Sequence, residues 1–200
     1  MIADALHSLL DGRIATLTIG PDGTTRADDP PQGVIASGAF NPLHAGHLGM
    51  AAAAAQLTGL PASFELAVRN ADKGALEPAA IMRRAAQFAG QHTLTLSTAP
   101  LFAQKAALYP GRSFVLGYDT AARLLDARYY AGEAGLHAAL ATLQNHGCRL
   151  VVAGRVADGR FRTLADLSVP PAFAALFIPI PEQLFRADIS STELRAQVGR

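Results

Sequence analysis

From Gly33 onward short apolar runs alternate with longer stretches of helical composition, which is the rhythm of parallel βαβ units. The apolar runs at 34–37, 63–68, 93–96, 112–116, 149–153 and 173–178 predict strands. Between them, 46–57, 79–88, 101–108, 120–125 and 133–145 have helical composition or spacing. The first of these carries the alanine run 51–55, which favours a helix and lets it pack close to a sheet. The expected architecture is α/β: a Rossmann-like, doubly wound, mostly parallel sheet covered on both faces, with ligands beyond the carboxyl ends of its strands.

The first 32 residues follow another pattern. Leu6, Leu9 and Leu10 line a short helix, 13–19 alternates like a strand, and Gly20-Pro21-Asp22-Gly23 is a turn signal, so a small hairpin is expected. Asp28-Asp29-Pro30-Pro31-Gln32-Gly33 can continue neither a helix nor a central strand. The boundary therefore falls between an N-terminal appendage, 1–32, and a main domain, 33–200. The appendage is either a remnant of a larger arrangement or an extension of the sheet.

Charge and composition remove several classes of function. Seventeen basic and sixteen acidic side chains give a net charge of +1, without the footprint needed to grip nucleic acid or an anionic membrane. Small anions remain compatible. The single Cys148 sits in an apolar run and reads as a buried structural thiol. No secretory leader and no run of about twenty apolar residues is present, so a soluble cytoplasmic protein is expected, of open oligomeric state.

Candidate chemistry is concentrated at three places. Gly38-Ala39-Phe40-Asn41-Pro42-Leu43-His44-Ala45-Gly46-His47 puts two imidazoles three residues apart where the first strand of the main domain turns into a helix. A helix start offers unpaired N–H groups and a positive dipole end, which suits phosphate. Zinc is disfavoured, because HExxH is absent and no Cys or acid completes a local ligand set. Near the C-terminus, Ile189-Ser190-Ser191-Thr192-Glu193-Leu194-Arg195 has capping-box spacing between Ser190 and Glu193. The third place is Gly117-Tyr118-Asp119, at the end of a predicted strand.

Gly38, Phe40, Pro42, His44, Gly46 and His47 resemble the GxFxPxHxGH signature of the nucleotidylyltransferase superfamily, and 189–195 resembles the ISSTxxR motif of its adenylyltransferases. Gly117 and Asp119 resemble the GxD of members that adenylate nicotinamide or nicotinic acid mononucleotide. This resemblance implies attack of the mononucleotide phosphate on the α-phosphorus of ATP, giving a dinucleotide and pyrophosphate, with Mg²⁺ arriving with ATP. It implies His44, His47 and Arg195 as catalytic. ATP would be bound by Gly38, Ala39, Phe40, Gly46, Ile189, Ser190, Ser191 and Thr192 beside the histidines. The acceptor would meet Gly117, Asp119, Lys73 and Arg155, and Arg83 or Arg84 resembles a helix-borne arginine of the same enzymes. Those enzymes stack the pyridine on a tryptophan, which this chain lacks; Tyr129 and Tyr130 are the available replacements.

The HxGH tetrad also occurs in class I aminoacyl-tRNA synthetases and in transferases acting on pantetheine phosphate or glycerol phosphate. Two lysines cannot supply a lysine-rich synthetase loop, and the Arg-Thr-x-Gly ending of cytidylyltransferases is missing. The alternatives left are a phosphopantetheine adenylyltransferase and a nucleotide-binding regulator without turnover.

Overall fold

The computed structural model describes residues 2–70, 74–157 and 159–186. Its helices are α1 (Ile2–Leu10), α2 (Ala45–Thr58), α3 (Pro78–Ala85), α4 (Phe102–Leu108), α5 (Tyr118–Leu124) and α6 (Gly132–Asn145). Its strands are β1 (Thr16–Ile19), β2 (Thr25–Ala27), β3 (Val34–Ser37), β4 (Ala62–Ala67), β5 (Arg69–Asn70), β6 (Gly74–Ala75), β7 (Leu94–Ser97), β8 (Ser113–Gly117), β9 (Arg149–Ala153), β10 (Arg155–Ala157), β11 (Arg160–Arg162) and β12 (Phe177–Ile180).

Eight strands form one sheet in the order β12-β9-β8-β3-β4-β7-β1-β2. The six from β12 to β7 are parallel, while β1 and β2 join antiparallel at one edge. Taken in chain order the parallel strands run 3-2-1-4-5-6, the order of a doubly wound, Rossmann-like sheet that reverses between β3 and β8. Strand alternation requires cover on both faces, and both faces have it. Val34, Ala36, Phe64, Leu66 and Val115 pack with α1, α2 and α3, whereas Ile35, Phe114, Leu116 and Val152 pack with α4, α5 and α6. No described helix is long and apolar enough to cross a membrane.

α2 shows how sequence sets an element. It begins at an extended His44, buries Ala51, Ala53 and Ala54 against the sheet, and ends at Gly59, whose left-handed φ of 69° lets its N–H bond the Ala55 carbonyl. The N-terminal hairpin extends the sheet: Thr16 lies opposite Ser97, and Leu17 opposite Leu96. Leu6 and Leu9 of α1 enter the same core as Val34 and Phe64, and 28–33 crosses to β3 without helix or strand.

The last strand departs from expectation. Residues 171–176 form a 3₁₀ helix with Pro171 in its first turn, and β12 is displaced to Phe177–Ile180. Pro170-Pro171 fixes φ near the helical value, and the three-residue period sends Phe173 and Leu176 to the core. β12 is an edge strand, where the missing N–H of Pro179 costs no ladder bond. The two small hairpins β5–β6 and β10–β11 are not signalled by the hydrophobic pattern.

One ion pair lies wholly inside. Lys105 Nζ is 2.6 Å from both Glu65 oxygens, with the side chains 4% and 0% exposed, and Ser97 Oγ donates to Glu65 Oε1. Burial and the Glu65 charge push the neighbouring Tyr109 hydroxyl well above its usual pKa. Glu65 also lies beside Ser37, and its carbonyl accepts the Gly38 N–H, so the pair anchors the strand that supports the start of the β3–α2 loop. Breaking such a pair from one side typically costs about 3–5 kcal/mol, because the other charge stays buried. Lys105→Met is expected to lower unfolding stability by that amount in urea titrations, and adding Glu65→Leu is expected to restore most of it.

Candidate functional site

In a parallel sheet every strand ends at the same edge, so the loops after β3, β8 and β9 converge there, two of them flanking the reversal point. The β3–α2 loop is shaped by short-range sterics. A Cβ on Gly38 would come within 2.8 Å of the Phe40 ring, so glycine permits that ring to fold back. Phe40 adopts φ 45°, is 1% exposed, and meets the His47 ring edge-on at 5.1 Å between centroids. The Asn41–Pro42 peptide is cis.

His44 and His47 cap each other's turn. His44 Nδ1 accepts the Gly46 N–H at 3.1 Å, and His47 Nδ1 accepts the His44 N–H at 3.3 Å. This is a capping box built from two imidazoles, with ring centroids 3.8 Å apart. Two consequences follow. The Gly46 amide is already satisfied by imidazole, so it does not stand open toward a ligand. Both Nδ1 atoms act as acceptors, so in the neutral rings the proton sits on Nε2, leaving each imidazole a donor on its other nitrogen. Neutrality is favoured: burial lowers the pKa of His44, and burial followed by the charge of His44 lowers that of His47 to about 4.

Helix α3 and the 3₁₀ turn 86–88 hold the loop from the side. Arg84 Nη1 donates to the Ala39 carbonyl at 3.1 Å, while its Nε is buried without a partner among the described residues. Burial, then the charge of Arg83, lowers the Arg84 pKa. Gln87 Nε2 donates to the Phe40 carbonyl at 2.9 Å, and its Oε1 accepts the Leu43 N–H at 2.8 Å. Sequence reasoning missed Gln87, since nothing local marks it. Arg83 is exposed and makes no such contact among the described residues. An apolar depression lined by Ile2, Ile19, Met82, Phe88, His92 and Leu94 adjoins α3 and includes neither His44 nor His47.

Across the reversal point, Gly117 ends β8 with open space where a Cβ would stand. Asp119, in the first turn of α5, pairs with Arg155 after β9, bringing together three residues singled out from sequence. Both partners are partly exposed, so the pair adds little stability and its geometry matters more. Tyr130 is not brought to them. Its hydroxyl donates to the Leu124 carbonyl at 3.0 Å, at the far end of α5, about 7.5 Å of helix rise from Asp119. Its ring packs against the second core and burial raises its pKa. Tyr129 beside it is 65% exposed.

After β12 the chain returns to α2, where a Cβ on Gly49 would come within 2.9 Å of the Phe185 ring. Ile189, Ser190, Ser191, Thr192 and Arg195, like Lys73, lie outside the described residues. Among the described residues no group of three or more His, Cys, Asp or Glu side chains is placed to hold a metal ion. Compared with known proteins, the chain matches no family model and no curated sequence.

A depressed histidine pKa ties stability to pH. The unfolded ring takes a proton near pH 6.5 and the folded His47 only near 4, so stability is full above 6.5 and lost as pH falls between these values. Solvent access to the ring limits the loss to roughly 1–2 kcal/mol. His47→Gln keeps an acceptor at the capping position and is expected to flatten this part of the profile in thermal melts from pH 7 to 4.

Proposed function

We propose that this chain is an adenylyltransferase of the nucleotidylyltransferase type, moving the adenylyl group of ATP to nicotinamide or nicotinic acid mononucleotide. The observation that carries the reading is the pair of stacked imidazoles, each accepting a backbone N–H through Nδ1, at a helix start beside the reversal point of a doubly wound sheet. Gly117, Asp119 and Arg155 on the other side support an acceptor subsite there.

The chemistry asks little of a general base. A phosphate monoester, with its second pKa near ~6, is already mostly dianionic at neutral pH. The protein's contribution is to orient the phosphates and neutralise charge as pyrophosphate leaves. His44 and His47 donate to phosphate oxygens through Nε2, held in orientation by the bonds at Nδ1 as charge develops. Mg²⁺ enters with ATP and needs no carboxylate cluster of the protein's own. Asp119 hydrogen-bonds the acceptor, exchanging Arg155 for a substrate hydroxyl. Ser190, Ser191, Thr192 and Arg195 enter on the motif resemblance as the second half of the ATP clamp, and Lys73 as an acceptor contact. Tyr129, exposed, is the better candidate of the two tyrosines for stacking.

Incubation with ATP, Mg²⁺ and each of nicotinamide mononucleotide, nicotinic acid mononucleotide and phosphopantetheine tests the reading. A dinucleotide and pyrophosphate are expected from a pyridine acceptor. Product from phosphopantetheine alone reassigns the acceptor, and ATP binding without any product indicates a regulator. His47→Ala is expected to lower kcat about 10²- to 10³-fold, and a wild-type rate in that variant contradicts the role given to the ring.

A further inference from the structure

We propose that Gln87 is a positioning residue of this site, its carboxamide holding the loop that aims the two imidazoles. Between β3 and α2, residues 38–44 belong to neither element, and Phe40 occupies a left-handed conformation that a bulky residue seldom adopts. Such a backbone persists only when its surroundings over-determine it. The Phe40 carbonyl and the Leu43 N–H need partners, and Gln87 supplies both, donating at 2.9 Å and accepting at 2.8 Å.

A carboxamide does this from one side chain, with its donor and acceptor side by side. A carboxylate accepts without donating, an ammonium donates without accepting, and a hydroxyl is too short to bridge two backbone groups three residues apart. Leu43 directly precedes His44, so the Gln87 bond fixes the Pro42–Leu43 peptide, one residue before the peptide that leads into the capping residue. A further bond from Nε2 to the Arg84 carbonyl at 3.2 Å braces the carboxamide against the end of α3, and Arg84 grips the Ala39 carbonyl one step earlier in the loop. Gln87 is itself exposed and outside the core, so its removal spares global packing and acts on the loop.

For turnover the proposal rests on the adenylyl-transfer reading, but its first test does not. Amide hydrogen exchange by NMR compares wild type with Gln87→Met, which keeps length and loses both hydrogen bonds, and Gln87→Glu, which keeps the acceptor toward Leu43. In Gln87→Met, exchange at Leu43, His44 and Gly46 is expected to rise at least about tenfold, while Phe64 and Val68, bonded within the sheet, stay unchanged. In Gln87→Glu, Leu43 is expected to keep its protection. Where wild type is active, Gln87→Met is expected to lower kcat about ten- to a hundredfold, leaving KM for the acceptor within twofold.

Exchange at His44 and Gly46 within twofold of wild type in Gln87→Met overturns the proposal. So does faster exchange with an unchanged kcat, which reduces Gln87 to a structural tie. If wild type yields no product from any acceptor, the adenylyl-transfer reading fails, and the exchange result alone decides whether Gln87 holds the loop.

Discussion

The two hydrogen bonds that His44 Nδ1 accepts from the Gly46 N–H and His47 Nδ1 accepts from the His44 N–H are the constraint on which the site depends. Through Nδ1 they satisfy two amides that the first turn of α2 would leave unpaired, and they thereby assign the remaining proton of each ring to Nε2. Capping and the placement of the ring proton are one interaction seen from two sides. An aspartate would cap this helix as well, but its carboxylate would have no donor to offer.

Around this pair the fold works as a set of distance constraints. The parallel sheet brings the loops after β3, β8 and β9 to one edge, and the reversal of strand order opens space between the first two. Phe40 wedges beneath His47, Gly38 makes room for Phe40, and Arg84 of α3 with Gln87 of the following turn closes the loop. Beneath them the buried Glu65–Lys105 pair ties β4 to α4 at the level where β3 ends. A buried charge pair is seldom a cheap way to stabilise a protein, but its strict geometry can specify a single register.

How much of this is legible in sequence depends on range. The alternation of strand and helix is local, and five of the six strands expected in the main domain lie within a residue of where periodicity puts them. The sixth is displaced because Pro170-Pro171 begins a 3₁₀ turn that an apolar run conceals. The histidine pair is legible because cap and imidazole are neighbours along the chain. Gln87 and Lys105 are not, because their partners are more than forty and exactly forty positions away, respectively, at distances no periodicity encodes. Tyr130 is a similar case: its spacing from Asp119 suits stacking, but its hydroxyl is tied to the far end of α5.

The most direct measurement is a long-range ¹H–¹⁵N NMR spectrum of the imidazoles at pH 7, with and without MgATP. The account predicts that both His44 and His47 are neutral with the proton on Nε2, and that both sets of ring signals move as MgATP saturates. A proton on Nδ1 in either ring, or ring signals unchanged at saturating MgATP, would contradict it.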